Sequence, residues 1–227
     1  MAQITLIGTT HTVYVNPKYR LRLEGILVNE SPNFVSLETS PEVLDFREAN
    51  LAGFRKVFAN MGFPEDESNN FMYALFGENQ VAIDYCKKHG VPYEGIDMSS
   101  GAGELEEILW SLRRLGREYY MQVRGLIIKN YHISISTGFH DKIWSEGDIK
   151  ELESQHNTQA DIQSKDDVVN RLERDRYMAD FVIGKIQNER LPQDFKIVSV
   201  NGGGHILDAP GSFYANLKDL NPKRIIC

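Results

Sequence analysis

The segment ITLIGTTH, residues 4–11, decides the fold: a short apolar run closes on a glycine and reaches a histidine three residues later. The same order returns near the other end of the chain as KIVSVNGGGH, residues 196–205. A short apolar run closed by glycine reads as a buried strand and its turn. Two such strands, each delivering a histidine just past its end, predict that His11 and His205 meet at one sheet edge.

Outward from the first segment, Gln3 to Ile7 is a strand, and Tyr19, Leu23, Ile26 and Leu27 follow at helical spacing before the apolar run Phe34 to Leu37. This is a βαβ opening. A helix is predicted from Pro41 to about Met61, with proline at its permitted first position, and PEDESNN breaks it. A helix from Asn79 to His89, closed by Gly90, leads to a third strand, Pro92 to Ile96, that carries Asp97 to its end. Leu105, Ile108, Leu109, Leu112 and Leu115 form the stripe of one helix from Ala102 to about Tyr131. Asp141 to Asp167 is polar and reads as an exposed helical excursion or lid. Val168 to Ile186, apolar almost all round, reads as an enclosed helix before the strand Phe195 to Val200 and a short amphipathic tail, Tyr214 to Leu220. The predicted class is α/β, a central mixed, largely parallel sheet flanked by helices. A single domain spans residues 1–227, with a helical, partly polar insertion at about 102–167.

Composition sets the outer limits. At 227 residues and 41% hydrophobic content the chain can fill one large core. A net charge of −7 with dispersed Lys and Arg gives no phosphate-tracking surface, so no nucleic-acid partner is expected. Met1-Ala2-Gln3 runs directly into a strand, and no stretch approaches the roughly 20 apolar residues of a membrane helix, so the expected location is cytoplasmic. Cys86 and Cys227 are the only cysteines, which leaves any metal to histidines and carboxylates.

In a parallel sheet, side chains just past the carboxyl ends of the strands converge on one edge. His11, Glu38, Asp97 and His205 would all arrive there: two imidazoles and two carboxylates, a set that suits Mn, Co, Zn or Fe without choosing among them. Gly8, Gly202, Gly203 and Gly204 would let the backbone take positive φ and approach a ligand. Glu38 closes an apolar strand, and with Thr39 and Ser40 on hand to cap the next helix it is free for base or ligand work. Arg174 shares a helical stripe with Met178 and Phe181, which draws its guanidinium toward enclosed surroundings. There it would pair with Glu38 or Asp97, or hold a substrate carboxylate or oxyanion. His89, His132, His140 and His156 lack such a setting, no G-x-S-x-G elbow occurs, and the GAG at 101–103 is no phosphate loop.

Four segments in order, LIGTTH (6–11), FVSLE (34–38), ERDRYMA (173–179) and VNGGGH (200–205), resemble the TraB family of the pheromone-shutdown protein PrgY, with its TIKI and GumN relatives. The family's two Gly-x-x-His motifs, its Glu after the second strand and its Arg before Met-Ala fall on His11, His205, Glu38 and Arg174. GVPYEGID resembles the segment that ends on the family's strand-end Asp, here Asp97. The resemblance implies a fold shared with erythromycin esterase and ChaN and a metal-dependent peptidase activity. The chain is therefore expected to be a metal-dependent, peptidase-like hydrolase of a peptide or small molecule. In it His11 and His205 bind a divalent metal, Asp97 completes the metal shell or orients a His, Glu38 takes the water's proton, and Arg174 steadies the oxyanion or fixes a substrate carboxylate. The alternatives are a non-catalytic peptide-, pheromone- or haem-binding regulator and a metal-independent esterase. A homodimer is the assembly carried forward, although no heptad seam marks its interface.

Overall fold

Five short strands, β1 (Gln3–Thr9), β2 (Phe34–Leu37), β3 (Tyr93–Gly95), β4 (Lys196–Gly202) and β5 (Lys223–Ile226), pair in the order β3-β2-β4-β1-β5. The computed structural model describes residues 2–9, 16–98, 101–136, 143–144, 146–156 and 165–227. Every strand pairing within them is parallel. The class is α/β as expected, but the sheet is not mixed; the one antiparallel contact among the described residues is an isolated bridge between Trp144 and Ile226.

Both faces of the sheet are covered, which is why its strands read as near-continuous apolar runs. Ile7, Val35, Leu37, Val198 and Val200 pack on one face with α1 (Pro17–Glu30) and the second half of α3 (Glu65–His89). Their neighbours Leu6, Phe34 and Ile197 face the other way, against α7 (Lys165–Asn188) and α8 (Phe213–Leu217). A third apolar cluster joins α2 (Pro41–Asn60), the first half of α3, α4 (Ala102–Leu115) and α5 (Arg117–Ser136). Phe58, Phe71 and Tyr120 stack at its centre with ring centroids 5.0 to 5.8 Å apart.

Several elements differ from expectation for local reasons. The helix expected over 102–131 is divided at Gly116, whose φ of 60° ends α4, and Leu115 turns out to be exposed. The helix expected from Asn79 to His89 is present as the second half of α3, set off by a kink at Gly77 (φ 52°, ψ −130°), a conformation essentially confined to glycine; the first half, which starts at Glu65 inside the PEDESNN run, was not anticipated. Helix α7 is one-sided rather than enclosed: Met178, Ala179 and Val182 are buried while Tyr177 is exposed. Within the polar stretch 141–167, α6 (Glu146–His156) is docked on β5 through fully buried Ile149 and through Arg224, which binds Glu146 and Glu153. Strand β5 itself follows the predicted tail and was not anticipated. Its four residues, KRII, are half charged and too few to show a period.

Candidate active site

The register fixes where the strands stop. Thr9 lies beside Gly202, and Leu37 beside both Val200 and Gly95, so β1, β2, β3 and β4 end on one level. Glu38 follows, its N–H donating to Val200 O at 3.1 Å, and the Asp97 N–H donates to Thr39 O at 3.0 Å. Gly95 is required here: a Cβ would come within 2.5 Å of Thr39 O. His205 stands on the 3-10 turn Gly203–Ile206 that continues β4.

Three carboxylates, an arginine and a histidine interlock at this edge. The Arg174 Nε and Nη2 donate to Asp97 Oδ1 and Oδ2 at 2.9 and 2.5 Å, and Nη2 also to Glu38 Oε1 at 3.2 Å. Glu38 Oε2 accepts the Gly202 N–H at 2.5 Å, and Glu38 Oε1 lies 3.0 Å from His205 Nε2. The other ring nitrogen, Nδ1, is bonded to Asp175. The carboxylates are enclosed, with side-chain exposures of 5% for Glu38, 2% for Asp97 and none for Asp175, while Arg174 keeps 32%. The Asp97 hydrogen bonds hold Arg174 firmly protonated. Burial alone would lower the basicity of His205, but the bonds to Asp175 and Glu38 and their charges outweigh it and push its pKa up to about 9. At neutral pH the ring is an imidazolium donating from both nitrogens.

The arrangement brings together Glu38, Asp97, Arg174 and His205. His11 lies outside the described residues, two positions in sequence past the last residue of β1, the strand that neighbours β4. Asp175 escaped the sequence reading, yet it shares a stripe with Met178, Ala179 and Val182 at spacings of three, four and seven; a carboxylate in an apolar helical stripe was the signal. Asn79 was also missed; its Nδ2 donates to Glu38 O at 3.2 Å from just after the Gly77 kink. The glycines act by closeness rather than by positive φ, since left-handed glycines occur at 62, 77, 90, 116 and 211. A Cβ on Gly8 would meet Ile206 Cδ1 at 2.6 Å, and Gly202, at φ −59°, gives its N–H to Glu38. Of the other histidines, His89 is exposed and stacks on Tyr85, and the side chains of 132, 140 and 156 lie outside the described residues. Burial pushes the Cys86 thiol up to about 12, so it is no nucleophile at neutral pH.

As a metal site the cluster offers a pair of donors, not a complete set. His205 Nε2 faces Glu38 Oε1 while Asp175 fixes Nδ1, the outer partner that metal-binding histidines commonly have. Asp97 turns both oxygens to Arg174 and serves as that residue's anchor. Among the described residues no group of three His, Cys, Asp or Glu side chains is spaced to hold an ion, so a third donor would have to come from outside them, where His11 lies. No helix among them is long and apolar enough to cross a membrane.

Glu38, Asp97 and Arg174 line a cavity of about 550 Å³, walled on its far side by α3 and α4. That volume suits a small ligand or a dipeptide-sized group. Comparison of the chain with protein-family models, with curated proteins and with solved structures returns no match to any of them, so its functional reading rests on these residues and distances.

Proposed function

We propose that the protein is a hydrolase of the metal-dependent, peptidase-like kind that its four motifs suggest. The observation that carries the reading is the meeting of Glu38, Arg174 and His205, from three distant segments, at the carboxyl edge of the sheet and beside a cavity. His205, joined by His11, would hold a divalent cation, which when bound lowers the pKa of water and polarises a carbonyl. Glu38 accepts the proton of the attacking water. Arg174 keeps Nη1 free of hydrogen bonds among the described residues and turns it to the oxygen that gains charge. Asp175 orients the His205 ring, and Asn79 steadies the backbone at Glu38.

One observation favours the metal-independent alternative. A ring that holds its proton up to about pH 9 can return a proton, through Glu38, to the departing amine or alkoxide. A cation and that proton compete for the same Nε2, so metal uptake should strengthen as pH rises.

Hydrolysis of fluorogenic peptides and of aryl esters, each with added Mn, Co or Zn and with chelator, separates the two. Metal-stimulated peptide cleavage lost in Glu38→Gln and His205→Gln supports the first, and chelator-resistant ester cleavage the second. Absence of any turnover above the Glu38→Gln background overturns both.

A further inference from the structure

The cleft has two unlike sides. Phe76 and Leu75 from α3, with Leu105 and Ile108 from α4, make an apolar wall, opposite the carboxylates of Glu38 and Asp97. At its rim stands Glu104, exposed and without an ion pair among the described residues. The lining thus carries three carboxylates against one guanidinium, and that guanidinium already gives Nε and Nη2 to Asp97 and Glu38. Among the described lining residues a substrate carboxylate would find no cation that is not already paired with a carboxylate, and it would face Glu104. Of the two ligand roles expected of Arg174, steadying an oxyanion suits this balance and holding a substrate carboxylate does not.

The neutral groups lean the same way. Asn79 lines the cavity, is nine-tenths buried, and its Oδ1 has no hydrogen-bond partner among the described residues, an acceptor waiting for a donor. Gly77 puts it there: the kink at φ 52°, ψ −130° starts a new helical direction two residues before Asn79 and bends α3 around the cleft. An acceptor-rich floor and rim facing an apolar wall is the complement of a cationic, donor-rich head joined to an apolar body.

We propose that this cleft selects ligands bearing a protonated amine beside an apolar side chain, with Glu104 as the residue that reads the amine. The proposal rests on the hydrolase reading for what happens to the ligand, but its test needs only binding. Calorimetric titration of the full chain at pH 7 would use phenylalaninamide as the cationic probe, N-acetylphenylalaninamide as the neutral one and N-acetylphenylalanine as the anionic one. The cation is expected to bind about 10-fold more tightly than the neutral probe, the scale of one favourable charge contact at a partly exposed site, and the anion most weakly. Glu104→Gln should cut the cationic preference to about twofold and leave the neutral probe unchanged, and Glu104→Lys should raise affinity for the anion. Binding of the anion as tight as the cation, a preference that survives Glu104→Gln, or no binding of any probe each overturns the proposal. Ranked binding without hydrolysis under any metal condition would sink the hydrolase reading alone, whereas efficient cleavage confined to anionic substrates would sink this one alone.

Discussion

Two arginines in this protein are each clasped by a pair of carboxylates, and the clasps are built inside out from one another. At the carboxyl edge the carboxylates of Glu38 and Asp97 are enclosed and Arg174 keeps a third of its side chain open to the cleft. On the far flank Arg224 is 1% exposed, lies over the Tyr214 ring at 4.0 Å and donates to Ile206 O at 3.2 Å, while its partners Glu146 and Glu153 are 44% and 16% exposed. A larger cavity, about 930 Å³, lies beside this second clasp, but its arginine is spent on tying α6 to β5. The contrast teaches that pairing alone does not mark function. A buried cation with wet carboxylates is a tie, and buried carboxylates that push a cation toward a cavity present it to a ligand.

The largest expected effect tests that division directly. Arg174→Ala should lower turnover about 100- to 1000-fold, as loss of an oxyanion donor does, while Arg224→Ala stays within about threefold of the parent when assayed below its unfolding temperature. Equal losses in the two variants would erase the distinction.

Stability should divide along a different line. Arg174→Ala strands enclosed carboxylates and should cost about 3 kcal/mol at pH 8, shrinking toward pH 5 because a buried carboxyl is tolerated better once protonated. Arg224→Ala leaves carboxylates that water can reach, so its cost of about 2 kcal/mol should stay level over the same range. Urea unfolding at the two pH values reads both, and a flat Arg174→Ala profile contradicts the burial argument.

His205 sharpens the picture further. Its pKa is about 9 in the folded chain against an ordinary 6.5, so the native state binds the extra proton. That stabilisation is complete below about pH 6.5 and is lost as pH climbs through 9, by an amount on the order of 3 kcal/mol. His205→Gln should flatten this slope relative to the parent; a slope unchanged by the substitution would place its origin elsewhere. A further test is Gly95→Ala, where the new methyl must push the backbone at Thr39 and Ser40 away and shift Glu38. A loss of about 1 to 3 kcal/mol in thermal unfolding, with a larger proportional loss of activity, is the expected signature.

Glu38, Asp97 and Arg174 were legible because each ends an apolar strand or shares a helical stripe, and such placements are local. His205 was legible as a site residue through its glycines, although their use is closeness and an N–H for Glu38 rather than left-handed turns. Asp175 and Asn79 were not read, since their importance lies in what faces them across the fold. Asp175 reaches a histidine 30 residues away and Asn79 a carbonyl 41 residues away.

By itself the sequence determined the βαβ beginning, the doubly covered sheet and the set of polar residues that strand ends would expose, because hydrophobic period and glycine placement act over a few residues at a time. Tertiary structure alone decided that β4 inserts between β1 and β2, that β5 completes the edge, and which charges satisfy one another. Pairing of charges depends on burial and on distances between segments far apart in sequence, up to the 193 residues between Glu30 and Lys223, quantities that no local pattern encodes.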